Sequence, residues 1–151
     1  MTKIIWPALS VLVAAGIFVS SALSGEVSGY ASMTIAGLVR FFVPVSDSTL
    51  AVLHFLLRKA AHFVVYFALA FCVAHSLKFY IHRANALFLW AWGIASIYGI
   101  TDEIHQYFVP GRVPALLDVV INSVGAAAGA VVVLWWLCRY RSGRTFEQRV
   151  L

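Results

Sequence analysis

The chain has 151 residues, 62% of them hydrophobic and only 11% charged, with a formal net charge of +5. Soluble domains are about 45–50% apolar and about 25% charged, so a chain this short has no interior able to hide its apolar surface, and its solvent must be lipid. The positive charge does not indicate nucleic acid. Arg139, Arg141, Arg144 and Arg149 follow directly on an apolar run, as a cytoplasmic anchor facing anionic lipid does, and no base-reading motif accompanies them.

Crossing a bilayer takes about 20 residues, and four stretches are long enough: Ile4–Leu23, Phe55–Leu77, Leu87–Phe108 and Pro114–Leu137. They predict an all-α fold, a polytopic transmembrane helical bundle of about four spans. Residues 1–24 hold the first span. Lys3, the apolar run and Ala22-Leu23-Ser24 before Gly25 also resemble a secretory signal. An uncleaved anchor is expected instead, because the run exceeds the roughly 7–15 residues of a signal core.

Residues 25–54 form an outer linker. Tyr30, Ile35, Leu38, Val39 and Phe42 predict a short interfacial helix over Tyr30–Val43, closed by Pro44. Ser46-Asp47-Ser48-Thr49 is a capping sequence for the next helix, which then begins well before Phe55. Residues 55–138 hold the other three spans, and 139–151 form a basic tail. Cys72 and Cys138 fall inside separate apolar runs and read as small buried hydrophobes, not a disulfide or metal framework.

With the N-terminus inside, the cytoplasmic segments carry Lys3, Lys78, Arg83 and the four C-terminal arginines. The outer segments carry Arg40, Arg58, Lys59 and Arg112. This positive-inside bias predicts N-in, C-in topology in a cytoplasmic membrane. Trp6, Trp90, Trp92, Trp135 and Trp136, with Tyr80 and Tyr140, fall toward the same inner interface.

Five of the six acidic residues then face outward: Glu26, Asp47, Asp102, Glu103 and Asp118. Charges at membrane depth are costly and mark functional sites. On the second span His54, Arg58, His62 and Tyr66 recur every four residues, with Lys59 alongside. On the third, Gly99, Asp102, Glu103 and Gln106 share a face, from which His105 is displaced. In the turn Phe108-Val109-Pro110-Gly111-Arg112, Gly111 takes the position that needs positive φ. Pro114 suits the first turn of the last helix. There Asp118, Asn122, Gly125 and Gly129 share one face, and the GxxxG pattern invites close packing within the chain or a homo-oligomer seam.

Arg58-Lys59-Ala60-Ala61-His62, the run from Asp102 to Arg112, and Asp118 with Asn122 together resemble the VanZ-like membrane protein family. The similarity extends from about Phe55 to Leu137. The first span and linker carry no recognisable signature. The resemblance implies a bacterial membrane protein of a family named for association with resistance to the lipoglycopeptide teicoplanin. It implies no settled reaction.

The leading reading is a site binding, or acting on, an amphipathic envelope molecule, a membrane lipid or lipid-linked compound. Arg58, Lys59 and Arg112, with Gln106, Asp118 and Asn122, would bind substrate. Glu103 or Asp102 would act as general base with His62 as proton partner. A structural reading instead pairs Arg58 with Asp102, and Arg112 with Asp118, to fix helix register. A proton- or ion-coupled transporter is a third reading. Against it, from Ala68 to Ala74 and from Gly125 to Leu137 Cys72 is the one ionisable residue. His75 and His82 are expected at the interface or in water, and His54 solvated. No cofactor is expected, and no metal, because His62, Asp102, Glu103 and His105 lack the dense spacing of a ligand motif.

Overall fold

A computed structural model describes residues 2–42 and 46–150. Pro44 lies outside them, and so do the side chains of Glu26, Ile35, Tyr140, Arg141, Arg144 and Arg149. The helices are α1 (Thr2–Ala22), α2 (Gly25–Phe42), α3 (Asp47–Leu77), α4 (Ala84–Tyr107) and α5 (Leu116–Val150), and no strand occurs among the described residues. All but α2 are long and apolar enough to cross a membrane, so this is an all-α integral membrane protein.

Local chemistry explains where the helices start and stop. Ser46 caps α3, its side chain accepting the Thr49 N–H at 3.2 Å, so the helix begins well ahead of its apolar run. At about 1.5 Å per residue α3 is about 46 Å long, and Lys59 and Lys78 lie about 28 Å apart along it. That interval is close to the roughly 30 Å of a hydrocarbon core. Pro114 does not open α5 as its ring chemistry suggested. The helix begins at Leu116, with the Ala115 carbonyl accepting from Asp118 N (2.8 Å). Nor does α5 end at Leu137. Arg, Glu and Gln are good helix formers, and the helix continues through the basic segment to Val150.

The centre of the bundle is the α3–α5 seam. Gly125 and Gly129 are buried, and a Cβ on either would collide with the carbonyl oxygen of Phe63 or Phe67. The GxxxG face thus packs against α3 of the same chain. Ala126, Ala130 and Val133 extend the seam against Tyr66, Ala70, Val73 and Ala74, with Ala91 and Ala95 of α4 closing it. Helix α1 runs antiparallel to α3 and is part of this core. Ile17 is buried, Tyr98 Oη donates to the Ala14 carbonyl at 2.7 Å, and Ser10 meets Ser76 at 3.3 Å.

Aromatic and basic groups crowd one end of the bundle, where Arg139 lies 4.5 Å over Trp135 and Lys78 5.1 Å over Trp136. His82 is exposed there, but His75 is buried and packs on Trp6 (4.2 Å) and Phe71 (4.4 Å). His75 lies among the aromatic groups of that end but is kept from water because α1 covers that face of α3. Cys72 is buried as expected, whereas Cys138 is exposed because it lies off the packed face of α5.

The seam makes a clear prediction. Gly129→Ala should cost about 1–3 kcal/mol as an overpacking change, seen as a lower thermal midpoint of the purified protein. Gly93→Ala, where an added Cβ meets nothing within 4 Å, should hold or raise the midpoint. Equal midpoints for both would contradict the close α3–α5 approach.

Candidate functional site

Above the glycine seam the small apolar residues of α3, α4 and α5 give way to polar ones on the same helix faces. From α3 come Lys59 and His62, from α4 Glu103, and from α5 Asp118 and Asn122. Lys59 Nζ forms an ion pair with Asp118 Oδ1, and the two side chains are 15% and 2% exposed. One turn deeper, His62 Nδ1 lies 3.1 Å from Oδ1 of the fully buried Asn122. In the tautomer that donates its Nδ1 proton to this amide oxygen, Nε2 keeps its lone pair. Tyr66 and Asn122 fit together because Gly99 has no side chain: a Cβ there would lie 3.2 Å from each.

Glu103 completes this group. It is 5% exposed, and its Oε2 accepts the backbone N–H of Ala115 at 3.3 Å. Its Oε1 is buried and has no hydrogen-bond partner among the described residues. One ligand-capable atom each of His62, Glu103 and Asp118 lies within 4.8 Å of the other two.

A second polar group joins α4 to α1. Gln106 Nε2 donates to Asp102 Oδ2 (3.1 Å) and to Ser21 Oγ (3.2 Å), all three residues being buried. Gly111 has φ 74°, and the turn around it closes with Arg112 N donating to Val109 O at 3.1 Å. This directs Arg112 at the end of α1, where Nη2 donates to Ser20 O (2.7 Å) and Nε to Leu23 O (3.1 Å). A guanidinium there satisfies the last carbonyls of α1 and complements its dipole. Burial, and Arg58 close by, hold the Arg112 pKa below its ordinary value.

The structure therefore sorts the predicted site residues into two sets. Lys59, His62, Glu103, Asp118 and Asn122 meet at the α3–α4–α5 junction, whereas Asp102, Gln106 and Arg112 bind α1. Asp102 hydrogen-bonds to Gln106, and Glu103 shares its ligand-distance cluster with His62 and Asp118. The register pairs are different as well. Asp118 is taken by Lys59 and not by Arg112, and Asp102 is bonded to Gln106 and not to Arg58. Arg58 is half-buried and makes no hydrogen bond or ion pair among the described residues. His105 stacks on Phe18 at 4.8 Å, away from the junction. His54 is half-buried with Nε2 covered, not solvated as expected. Ser21 and the carbonyls of Ser20 and Leu23 escaped the sequence reading, since a serine in an apolar run gives no signal and backbone contacts give none.

An open cleft of about 370 Å³ runs between α4 and α5, lined by Ile100, Ile104, Tyr107, Leu116, Val119 and neighbouring apolar residues. Glu103 is the one charged residue in its wall. Glu103 is thus shared between the cleft wall and the polar junction.

A four-span helical bundle with a polar junction at one end and an apolar lateral cleft defines the class: an integral membrane protein with an amphipathic site. The sequence model of the VanZ/LLP1 family matches residues 7–138, and the chain belongs to that family. The match begins in the first span, so it takes in the helix and linker in which no signature was legible. No curated protein and no solved structure matches the chain.

The Lys59–Asp118 pair is open to test. Removing one member of a buried pair leaves an uncompensated charge and costs about 3–5 kcal/mol. Lys59→Met or Asp118→Leu alone should lower the thermal midpoint more than the two changes combined. A double variant falling by the sum of the singles would show that the residues are not energetically coupled.

Proposed function

We propose that this protein binds an amphipathic cell-envelope molecule with an anionic headgroup, of the lipid-linked or lipoglycopeptide type, on the outer face of a bacterial cytoplasmic membrane. The single observation that carries this reading is Arg58, a half-buried guanidinium with no anionic partner among the described residues, set near Arg112 and above the Lys59–Asp118 pair. Two arginines repel each other unless an anion joins them, and a guanidinium grips phosphate or carboxylate through bidentate contacts. The cleft between α4 and α5 takes the molecule's apolar part.

The outward orientation rests on charge. Lys3, Lys78, Arg83 and Arg139 gather at the end opposite the junction, together with exposed Trp135 and Trp136. Chemistry at the headgroup would fall to Glu103, whose Oε1 has no donor among the described residues, and to the His62 imidazole beside it.

The purely structural reading has one observation in its favour, the clasp of Arg112, Asp102 and Gln106 on α1. It leaves Arg58 and Glu103 Oε1 without a purpose. Transport is disfavoured because the core beneath the junction is closed by Leu69, Ala70, Ala126 and Ala130.

The test is mass spectrometry of lipids retained by the purified protein. One anionic amphiphile should be enriched in wild type. Arg58→Ala should lose it roughly tenfold or more, in keeping with the ~1.5–3 kcal/mol of hydrogen bonds to charged groups. Ile104→Trp should lose it by obstructing the cleft. Both variants should fold and insert as wild type does. An identical, unselective lipid profile in all three overturns the proposal.

A further inference from the structure

We infer that His62, Glu103 and Asp118 form a binding site for one divalent transition-metal ion of the Zn²⁺ or Mn²⁺ class. This goes beyond the amphiphile reading and does not depend on it. No such motif was expected, because the three residues are far apart in sequence. The α3–α4–α5 junction brings them together, with one ligand atom of each within 4.8 Å of the others. One imidazole nitrogen and two carboxylate oxygens are a ligand set that Zn²⁺ and its neighbours accept.

The independent observation is Glu103. Its side chain is buried and its Oε1 has no donor. A buried carboxylate oxygen without a partner must take up a proton or a cation. Because Oε2 is committed to Ala115 N, Oε1 is the oxygen free for a metal.

The neighbouring groups are arranged as a metal site needs. Asn122 Oδ1 holds the His62 Nδ1 proton, which fixes the ring and presents the Nε2 lone pair. Lys59 occupies Asp118 Oδ1 and leaves Oδ2 available. Tetrahedral metal bonds of about 2.0–2.2 Å place ligand atoms about 3.3–3.6 Å apart, so a pair at the 4.8 Å limit has to close by a little over an ångström. Side-chain rotation supplies that on a helix frame held by the Gly125 and Gly129 seam. Three protein ligands leave a coordination position open, and Glu103 lies in the cleft wall, so that position is accessible from the cleft.

The experiment uses the full chain, delipidated in detergent, free of any histidine tag and stripped with chelator. It is dialysed against Zn²⁺, and metal per protein is measured by mass spectrometry. Wild type should retain about one equivalent and show a raised thermal midpoint. His62→Gln and Glu103→Gln should each retain less than roughly a tenth of that, while His105→Gln matches wild type. Should either site variant fail to fold, Co²⁺ added to wild type decides: a visible absorption band abolished by Zn²⁺ supports the site, and its absence overturns it. Equal Zn²⁺ in wild type and the two site variants, or none in wild type, also overturns it. Since lipid is absent throughout, failure here leaves the amphiphile proposal standing, and loss of selective lipid retention leaves this one standing.

Discussion

The close approach of α3 and α5 governs everything else in this bundle. Lipid gives apolar side chains no reason to prefer protein neighbours, so helices in a membrane are held by packing and by hydrogen bonds. Gly125 and Gly129 bring the α5 backbone onto the Phe63 and Phe67 carbonyls, a distance that any side chain would prevent. The same face continues upward into Asn122 and Asp118, which are thereby pressed against His62 and Lys59. Burial of Asn122 and Asp118, and partial burial of His62 and Lys59, follows from the seam. Once buried, each polar atom has to be satisfied from within, and this explains the Lys59–Asp118 ion pair and the His62–Asn122 hydrogen bond.

The polar residues at this end do two kinds of work. Arg112, Asp102 and Gln106 close the bundle around α1. They bond to the exposed carbonyls at its C-terminus and to Ser21. Apart from Gln106 Oε1, which is buried without a donor among the described residues, their polar atoms are bonded within the protein, and helix assembly accounts for those bonds. Arg58 and Glu103 Oε1 stand apart as charged groups: among the described residues the cation has no anion and the carboxylate oxygen has no donor. Opposite needs left open on two sides of one junction are what a bound molecule or ion would meet. Burying such groups costs stability, and proteins keep that kind of local conflict mainly at functional sites.

The helices were legible in the sequence because the lipid solvent enforces long apolar runs, and the Ser46 cap and the Gly111 turn were legible because each has a chemical signature. The residues of the junction could be named from their four-residue spacing on α3 and α5. Their pairing could not. Periodicity gives the face of a helix but not its height against a neighbour, so the sequence paired Asp118 with Arg112, whereas its partner is Lys59. The height is set by the glycine seam, a contact between backbones. The burial of His75 escaped for a related reason: α1 carries no motif, yet Trp6 covers that ring. That α5 continues past the apolar span was not legible, because hydropathy marks where lipid ends, not where the helix does.

The most direct test of a headgroup site with a lateral cleft is photocrosslinking in intact cells. A photoreactive amino acid would be placed at Val119, in the cleft, and separately at Val124, on the exposed flank of α5. The site described here predicts one class of anionic amphiphile attached at Val119, only bulk lipid at Val124, and loss of the Val119 adduct in Arg58→Ala. The same mixture of bulk lipids at both positions, unchanged by Arg58→Ala, would contradict it.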